Sequence, residues 1–155
     1  MKHLRLFICR TLVISKQKRN FMNTNEIISK INNANLQSQE DLQKVESVLT
    51  IQDNTLIEPL FKLLERFPSF NFGNPGNIVR YLERFANEVY VPLLYDSVRR
   101  KPTEHNVWMV NRYLNTLDNT EKAEGIMILE EALQKDIDEG VKEWINDFLE
   151  EQKEE

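Results

Sequence analysis

The residues best suited to chemistry lie in one short stretch, residues 103–112, which reads Thr-Glu-His-Asn-Val-Trp-Met-Val-Asn-Arg. On a helix, His105, Trp108, Met109 and Arg112 share one face. Because Trp and Arg predominate among the side chains that anchor protein–protein contacts, this face is interpreted as a contact patch. A second interpretation stays open for Trp108, whose ring would then be a wedge between neighbouring helices in the core.

The same stretch offers little for catalysis. A general base needs a partner within reach, and the acid nearest to His105 in sequence, Glu104, falls on a different helix face. Residues 136–140 resemble the start of a calcium loop, but Val141 begins an apolar helix stripe where further ligands would be needed. One cysteine and two histidines exclude a cysteine-based zinc site. We therefore expect no enzyme activity, no metal and no cofactor.

Acidic residues dominate the C-terminal part of the chain. From Asp118 onward there are 14 Asp and Glu against 4 Lys and Arg, and Glu139, Glu143 and Asp147 share one helix face. A fixed acidic surface attracts a basic protein and speeds its association. The alternative interpretation is an ordinary solvated face.

Basic residues are locally dense in the middle of the chain. The cluster is small beside the acidic remainder, and repulsion between that remainder and phosphates argues against a nucleic-acid partner. We expect these cations to pair instead with Glu83, Glu88 and Asp96. The cluster comprises Arg80, Arg84, Arg99, Arg100 and Lys101.

The first 21 residues differ from the rest, with six Lys and Arg and no acid. Arg10 interrupts the apolar run that a secretory signal would need, and the run is too short to span a membrane. Residues 18–22 can be encoded by a purine-rich ribosome-binding sequence followed by ATG. We therefore interpret residues 1–21 as a basic leader that lies upstream of the translation start at Met22. One domain is predicted over 22–155, in the cytoplasm and without membrane contact.

Apolar residues return about 34 positions apart, which indicates a stacked array of helix pairs. Leu60, Leu94 and Leu129 occupy matched places in three first helices. The sequence predicts an all-α fold, a short α-solenoid of about three antiparallel pairs. Two shorter helices precede them as an N-terminal cap, begun by Asn25 or Thr24 and by Ser38. The first predicted pair has one helix from Asp53 to Phe67 and a second that begins at 75–77. The second pair has helices from Glu88 to Lys101 and from Thr103 to Leu117. The third pair has helices from Thr120 to Gln134 and from Asp138 to the tail.

Two local features carry further expectations. Residues 74–77 read Asn-Pro-Gly-Asn, so either Pro75 takes the first helical position after an Asn74 cap, or Pro75 and Gly76 form a type II turn with Gly76 at positive φ. In the last helix one face is predicted to be apolar and buried. That face comprises Val141, Trp144, Ile145, Phe148 and Leu149.

Two blocks of the chain resemble known families. Residues 138–142, followed by Ile145 and Leu149, are similar to the second helix of a HEAT repeat, where an acidic cap precedes a Val and a spaced apolar face. The central block, residues 72–85 and 97–112, resembles small bacterial all-α proteins found beside polymorphic and contact-dependent toxins, where they act as immunity proteins. The resemblance covers residues 56–149.

This resemblance implies a protein that blocks a toxin, often a basic nuclease, by occlusion and without a cofactor. An alternative is a HEAT-like scaffold or adaptor that binds an endogenous partner. Since second helices line one surface of such arrays, we predict a partner-binding face there. The oligomeric state is left open. The predicted face comprises Arg80, Tyr81 and Arg84 from the first pair; His105, Trp108 and Arg112 from the second; and Glu139, Glu143 and Asp147 from the third.

Overall fold

A computed structural model describes residues 22–154, so the predicted leader lies outside the described residues. Within this range the fold is all-helical, as predicted, and contains no strand. None of its helices is long and apolar enough to cross a bilayer. The helices are α1 Thr24–Asn33, α2 Gln39–Glu46, a 3-10 turn Asn54–Leu56, α3 Ile57–Arg66, α4 Asn77–Leu82, α5 Asn87–Arg100, α6 Glu104–Leu114, α7 Ala123–Leu133 and α8 Glu139–Glu154.

Side-chain caps fix where several helices begin. Ser38 and Thr103 each accept a hydrogen bond from the third backbone N–H of their helix, which confirms both as N-caps. The backbone N–H of Gly140 donates to Asp138 at 2.8 Å, as expected of a cap there. The prediction for the first helix was wrong by one or two residues, because Asn23 is its cap and reciprocates with Glu26.

The odd-numbered helices contact one another in chain order, α1 with α3, α3 with α5, and α5 with α7. Helices α6 and α8 also pack together, and α5 with α6 and α7 with α8 are in contact. Leu60, Leu94 and Leu129 are fully buried, one in each of α3, α5 and α7. The core therefore runs along the row of odd-numbered helices and is closed on one side by α6 and α8.

A repeated hydrogen bond joins the C-terminal ends of the odd-numbered helices. Arg66 donates to the carbonyl of Ile31 at 2.9 Å, Lys101 donates to that of Glu65 at 2.7 Å, and Lys135 donates to that of Arg99. Carbonyls at a helix C-terminus lack intrahelical hydrogen-bond donors and carry partial negative charge. A cationic side chain that donates to such a carbonyl supplies the missing hydrogen bond and interacts favourably with the negative charge. Each cation thus ties one helix end to the preceding one; we call these three residues the cation ladder.

The loop before α4 differs from both predicted alternatives. Gly76 has φ −83°, so it does not occupy the left-handed position of a type II turn, and the Asn74–Pro75 peptide is cis. Helix α4 begins at Asn77, with Gly76 as its cap, so Pro75 does not hold the first helical position. Glycine is needed at 76 because a Cβ would lie 1.5 Å from the carbonyl oxygen of Phe72. The left-handed residue is Gly73, at φ 95°.

Candidate partner-binding surface

The predicted residues of α4 separate into two groups. Arg80 and Arg84 are exposed, whereas Tyr81 is buried and its hydroxyl donates to the carbonyl of Ile51 at 2.7 Å. Its ring also packs edge-on against Phe85, with centroids 5.4 Å apart, and burial raises the pKa of its hydroxyl. The expectation that Tyr81 is available to a partner is therefore wrong, because one residue step turns it about 100° away from Arg80 toward the core.

His105 is half-buried and faces the loop before α4. Its ring stands perpendicular to that of Phe72 with centroids 5.0 Å apart, and its Nε2 is buried without a hydrogen-bond partner among residues 22–154. Burial lowers the pKa of the imidazole. His105 thus belongs to the packing between α6 and the loop, and the structure does not group it with an exposed patch.

Trp108 and Arg112 form a half-exposed pair on α6. The guanidinium carbon of Arg112 lies 5.0 Å from the centroid of the Trp108 ring. The same guanidinium donates two hydrogen bonds to the carboxylate of Glu83, at 2.8 and 3.0 Å. The bidentate pair holds α6 to the end of α4, so much of the hydrogen-bonding capacity of Arg112 is used within the chain.

The basic cluster is partly paired, as expected, although with some different partners. Arg99 contacts Asp96 at 3.5 Å and Glu131 at 3.7 Å. Arg100 binds Glu65 at 2.7 Å instead of the acids predicted for it. Glu65 also accepts a hydrogen bond from the buried Ser97 hydroxyl, at 2.7 Å. Within the cluster, Arg100 therefore links α5 to α3, and Arg99 links α5 to α7.

Glu139, Glu143 and Asp147 are all exposed on α8. Among them they have one nearby cation with a described contact, Lys142, whose Nζ lies 3.0 Å from Glu139. Their spacing of four residues places them along one side of the helix. This side presents negative charge to solvent.

Trp144 lies beside these acids, and its predicted burial is wrong. Its residue surface is 40% exposed, and its ring rests edge-on against Phe148 with centroids 5.6 Å apart. The stripe that α8 turns inward instead uses positions 141, 145, 148 and 152, whose residues are buried. Position 144 falls at the rim of that stripe, between Glu143 and Asp147. We call Glu139, Glu143, Trp144 and Asp147 the α8 face.

The signal for an exposed Trp144 was present in the sequence. Acids stand at 143, 147, 150 and 151, so they flank position 144 on its own side of the helix. The inward stripe continues to the buried Gln152, which donates to Asn111 at 2.8 Å and to Asn115 at 2.6 Å. The contacts of α8 with α6 and α7 fix the rotation that turns Trp144 outward.

A polar contact joins α6 to α8 through residues outside both the α8 face and the α6 pair. Asn111 of α6 donates to Glu151 of α8 at 3.0 Å, and Glu151 lies one turn beyond Asp147. The outward sides of α4, α6 and α8 thus change in character from cationic, at Arg80 and Arg84, to acidic. No group of three or more His, Cys, Asp or Glu within residues 22–154 is arranged to hold a metal ion.

Comparison of the chain with protein-family models, with curated proteins and with solved structures gave no match.

Proposed function

We propose that this chain is a short α-solenoid of the HEAT type that binds a basic protein through the α8 face and thereby neutralises a toxin. The single observation that carries the binding proposal is the exposed Trp144 among Glu139, Glu143 and Asp147. A large aromatic ring held by its own helix loses little freedom on binding, and such rings are common interface anchors. The surrounding carboxylates select a partner of positive charge.

The solenoid part of the proposal is supported by the sequence distance of tertiary contacts. The hydrogen bonds of the cation ladder span 35 to 36 residues, and the Arg112–Glu83 pair spans 29. In a solenoid each repeat contacts only its neighbours, so contacting residues are expected to lie about one repeat length apart in sequence. The pairwise sequence of contacts along α1, α3, α5 and α7 agrees with the same arrangement.

Neutralisation by occlusion is supported by two further points. The α8 face presents an exposed aromatic ring among carboxylates, which is a composition suited to recognition of a basic protein. The resemblance of residues 72–85 and 97–112 to immunity proteins supplies the class of partner, a basic toxin domain such as a nuclease encoded by the neighbouring gene. In this proposal the chain acts in the cytoplasm, where such a toxin would strike.

The proposal is tested by co-expression of the chain with the product of the adjacent upstream gene. We expect that product to be toxic alone and harmless with this chain. Trp144→Ala should raise the Kd by roughly 30-fold, about 2 kcal/mol, with an unchanged melting temperature. Met127→Ala is the matched control, because Met127 is 45% exposed and lies on α7, outside the α8 face.

Two results would contradict the proposal. A neighbouring product that is not toxic and does not bind would favour the scaffold alternative. Equal affinities for the Trp144 variant and the Met127 control would remove the α8 face from the binding surface.

A further inference from the structure

The chain has two tryptophans, and they lie on neighbouring helices, Trp108 on α6 and Trp144 on α8. The two helices meet near their N-terminal ends, where a Cβ placed on Gly140 would lie 3.5 Å from Oε1 of Glu104. Trp108 and Trp144 each come four residues after this contact. Because an α-helix rises about 1.5 Å per residue, each tryptophan stands about 6 Å further along its helix.

Both tryptophans also lie on the sides of α6 and α8 that face each other. Further along the two helices Asn111 donates to Glu151 at 3.0 Å, so the helices run in the same direction. Trp108 precedes Asn111 by three residues and Trp144 precedes Glu151 by seven, and residues at these spacings share a helix face. Both tryptophans remain partly exposed, so they flank the line of contact between the helices at one level. We call Glu104, Trp108, Trp144 and Glu151 the α6–α8 seam.

The apolar part of the seam is larger than either tryptophan alone provides. Single exposed apolar side chains are ordinary on a protein surface, whereas neighbouring ones form a patch of the kind that binds other proteins. Tryptophan is also the side chain most enriched among the residues that dominate binding energy.

The charge along the seam is negative. Glu104 and Glu151 are both exposed. The cations of these two helices are engaged elsewhere, since Arg112 and Lys142 are each bound to a carboxylate and Lys153 lines a groove between α7 and α8. The seam therefore presents aromatic rings bordered by carboxylates, and the complementary surface is apolar at its centre and basic at its edges.

We propose that the α6–α8 seam receives a basic amphipathic helix of the protein partner, an inference that rests on the proposed function and adds Trp108 as a second anchor. A helix satisfies its own backbone hydrogen bonds. An extended segment would need a strand edge to pair with, and residues 22–154 contain no strand. In the complex, apolar side chains one turn apart cover the two rings. Cations beside them meet carboxylates that recur once per turn at 143, 147 and 151.

The seam is tested with a synthetic peptide of about five helical turns, composed of Leu and Lys with the leucines on one face. A second peptide of the same composition has its order shuffled so that no apolar face forms. Each is titrated into the full chain while tryptophan fluorescence is recorded. Because the chain has no other tryptophan, Trp108→Phe and Trp144→Phe each leave one reporter in the seam. We expect a saturable blue shift from both reporters, a micromolar Kd, and at least tenfold weaker binding of the shuffled peptide.

A truncation separates the contribution of Trp108 from general attraction to the acidic chain. Trp108→Ala should weaken binding of the amphipathic peptide at least fivefold. Tyr113→Ala is the matched control and should bind normally, because Tyr113 is a partly exposed aromatic residue of α6 that lies about 140° around the helix from Trp108. Melting temperatures show whether each variant is folded. If Trp108→Ala unfolds, the fluorescence of Trp108 in the Trp144→Phe protein decides instead.

Three results would overturn the proposal: no saturable change of fluorescence, equal binding of the two peptides, or a response from Trp144 without one from Trp108. The last result would leave the α8 face intact, so the seam alone would fail. Failure of the proposed function has a different signature, since the product of the neighbouring gene would then not bind while both reporters still responded to the peptide.

Discussion

Trp144 and Tyr81 differ in how much of each side chain is exposed to solvent and how much is bound within the fold. Trp144 has its ring edge on Phe148 and 40% of its surface in solvent. Tyr81 has its hydroxyl bound to a backbone carbonyl and its ring in the core. Burying the Trp144 surface under a partner would gain free energy at little entropic cost, whereas freeing Tyr81 would first break a core contact.

At Gly76 we expect a steric effect of substitution. Gly76→Ala places a methyl group 1.5 Å from the Phe72 carbonyl oxygen, so the loop before α4 must move, at a cost of about 2 kcal/mol or more. The measurement is chemical denaturation. Gly140→Ala is the control, because its Cβ would meet no atom nearer than 3.1 Å. Equal stability of the Gly76 variant and the parent chain would show that this close approach does not exist.

At His105 we expect a pH effect on stability. Burial lowers the pKa of this imidazole in the fold, so the unfolded chain binds a proton first as pH falls through about 6.5. The stability associated with neutral His105 is therefore complete above that pH and is lost below it. His105→Phe keeps a ring against Phe72 and removes the titration. Its free energy of unfolding should fall less than that of the parent between pH 7 and 5.5, and parallel curves would contradict the assignment.

The sequence predicted which candidate residues share a helix face better than it predicted which of them are buried, and the reason is physical. Helical spacing alone shows which residues share a face, so the exposed acids of α8 and the contact of Trp108 with Arg112 follow from it. The rotation of a helix against its neighbours depends on tertiary contacts. For this reason Tyr81 and Trp144 were each assigned to the wrong environment.

Among the helices, the junction of α3, α5 and α6 is tied by a buried polar network. The Glu65 carboxylate accepts from Ser97 and Arg100, and the Ser97 hydroxyl accepts from Asn106 at 3.0 Å. Asn106 also reaches the Lys101 carbonyl at 2.9 Å. A satisfied network of this kind fixes how three helices meet, because any other orientation leaves buried polar groups unpaired.

The cation ladder makes an element-scale prediction. Lys101→Met keeps the stem but removes the charge that binds the Glu65 carbonyl, and the expected loss of stability is about 1 kcal/mol. Lys62→Met is the control, since the exposed pair of Lys62 with Glu58 should be worth about 0.5 kcal/mol or less. The comparison uses urea denaturation at low salt. A Lys101 variant no less stable than the Lys62 control would mean that the ladder does not stabilise the stack.

At the scale of the molecule, the order and approximate bounds of the helices were predictable, because apolar spacing and caps are local signals. The shortness of α4, which spans only Asn77–Leu82, was not. Its start depends on how the loop containing Gly73 and Gly76 folds back on itself, with Gly76 close to Phe72, and its end is followed by tighter hydrogen bonds from Arg84 to Tyr81 and from Phe85 to Leu82. The cation ladder was missed for a similar reason, since its donors and carbonyls lie 35 to 36 residues apart in sequence.

Among residues 22–154, the arrangement of charge would set the direction from which the proposed basic partner approaches. Arg80 lies on α4 and Arg84 just after it, the Glu83–Arg112 pair joins the end of α4 to α6, and the acids lie on α8. A basic protein is therefore attracted toward one end of the row of helices and not to its whole length. Attraction of this kind acts chiefly on the association rate and weakens as salt screens the charges.

The most direct test of the α8 face is the association rate of this chain with the product of the adjacent upstream gene, measured at several salt concentrations. Reversal of Glu139, Glu143 and Asp147 to Lys should slow association at least tenfold at low salt and flatten its salt dependence. A control with the same three charge reversals at Glu40, Asp118 and Glu130, which lie outside α8, should change the rate much less. An unchanged association rate and salt dependence for the α8 variant would contradict binding through this face.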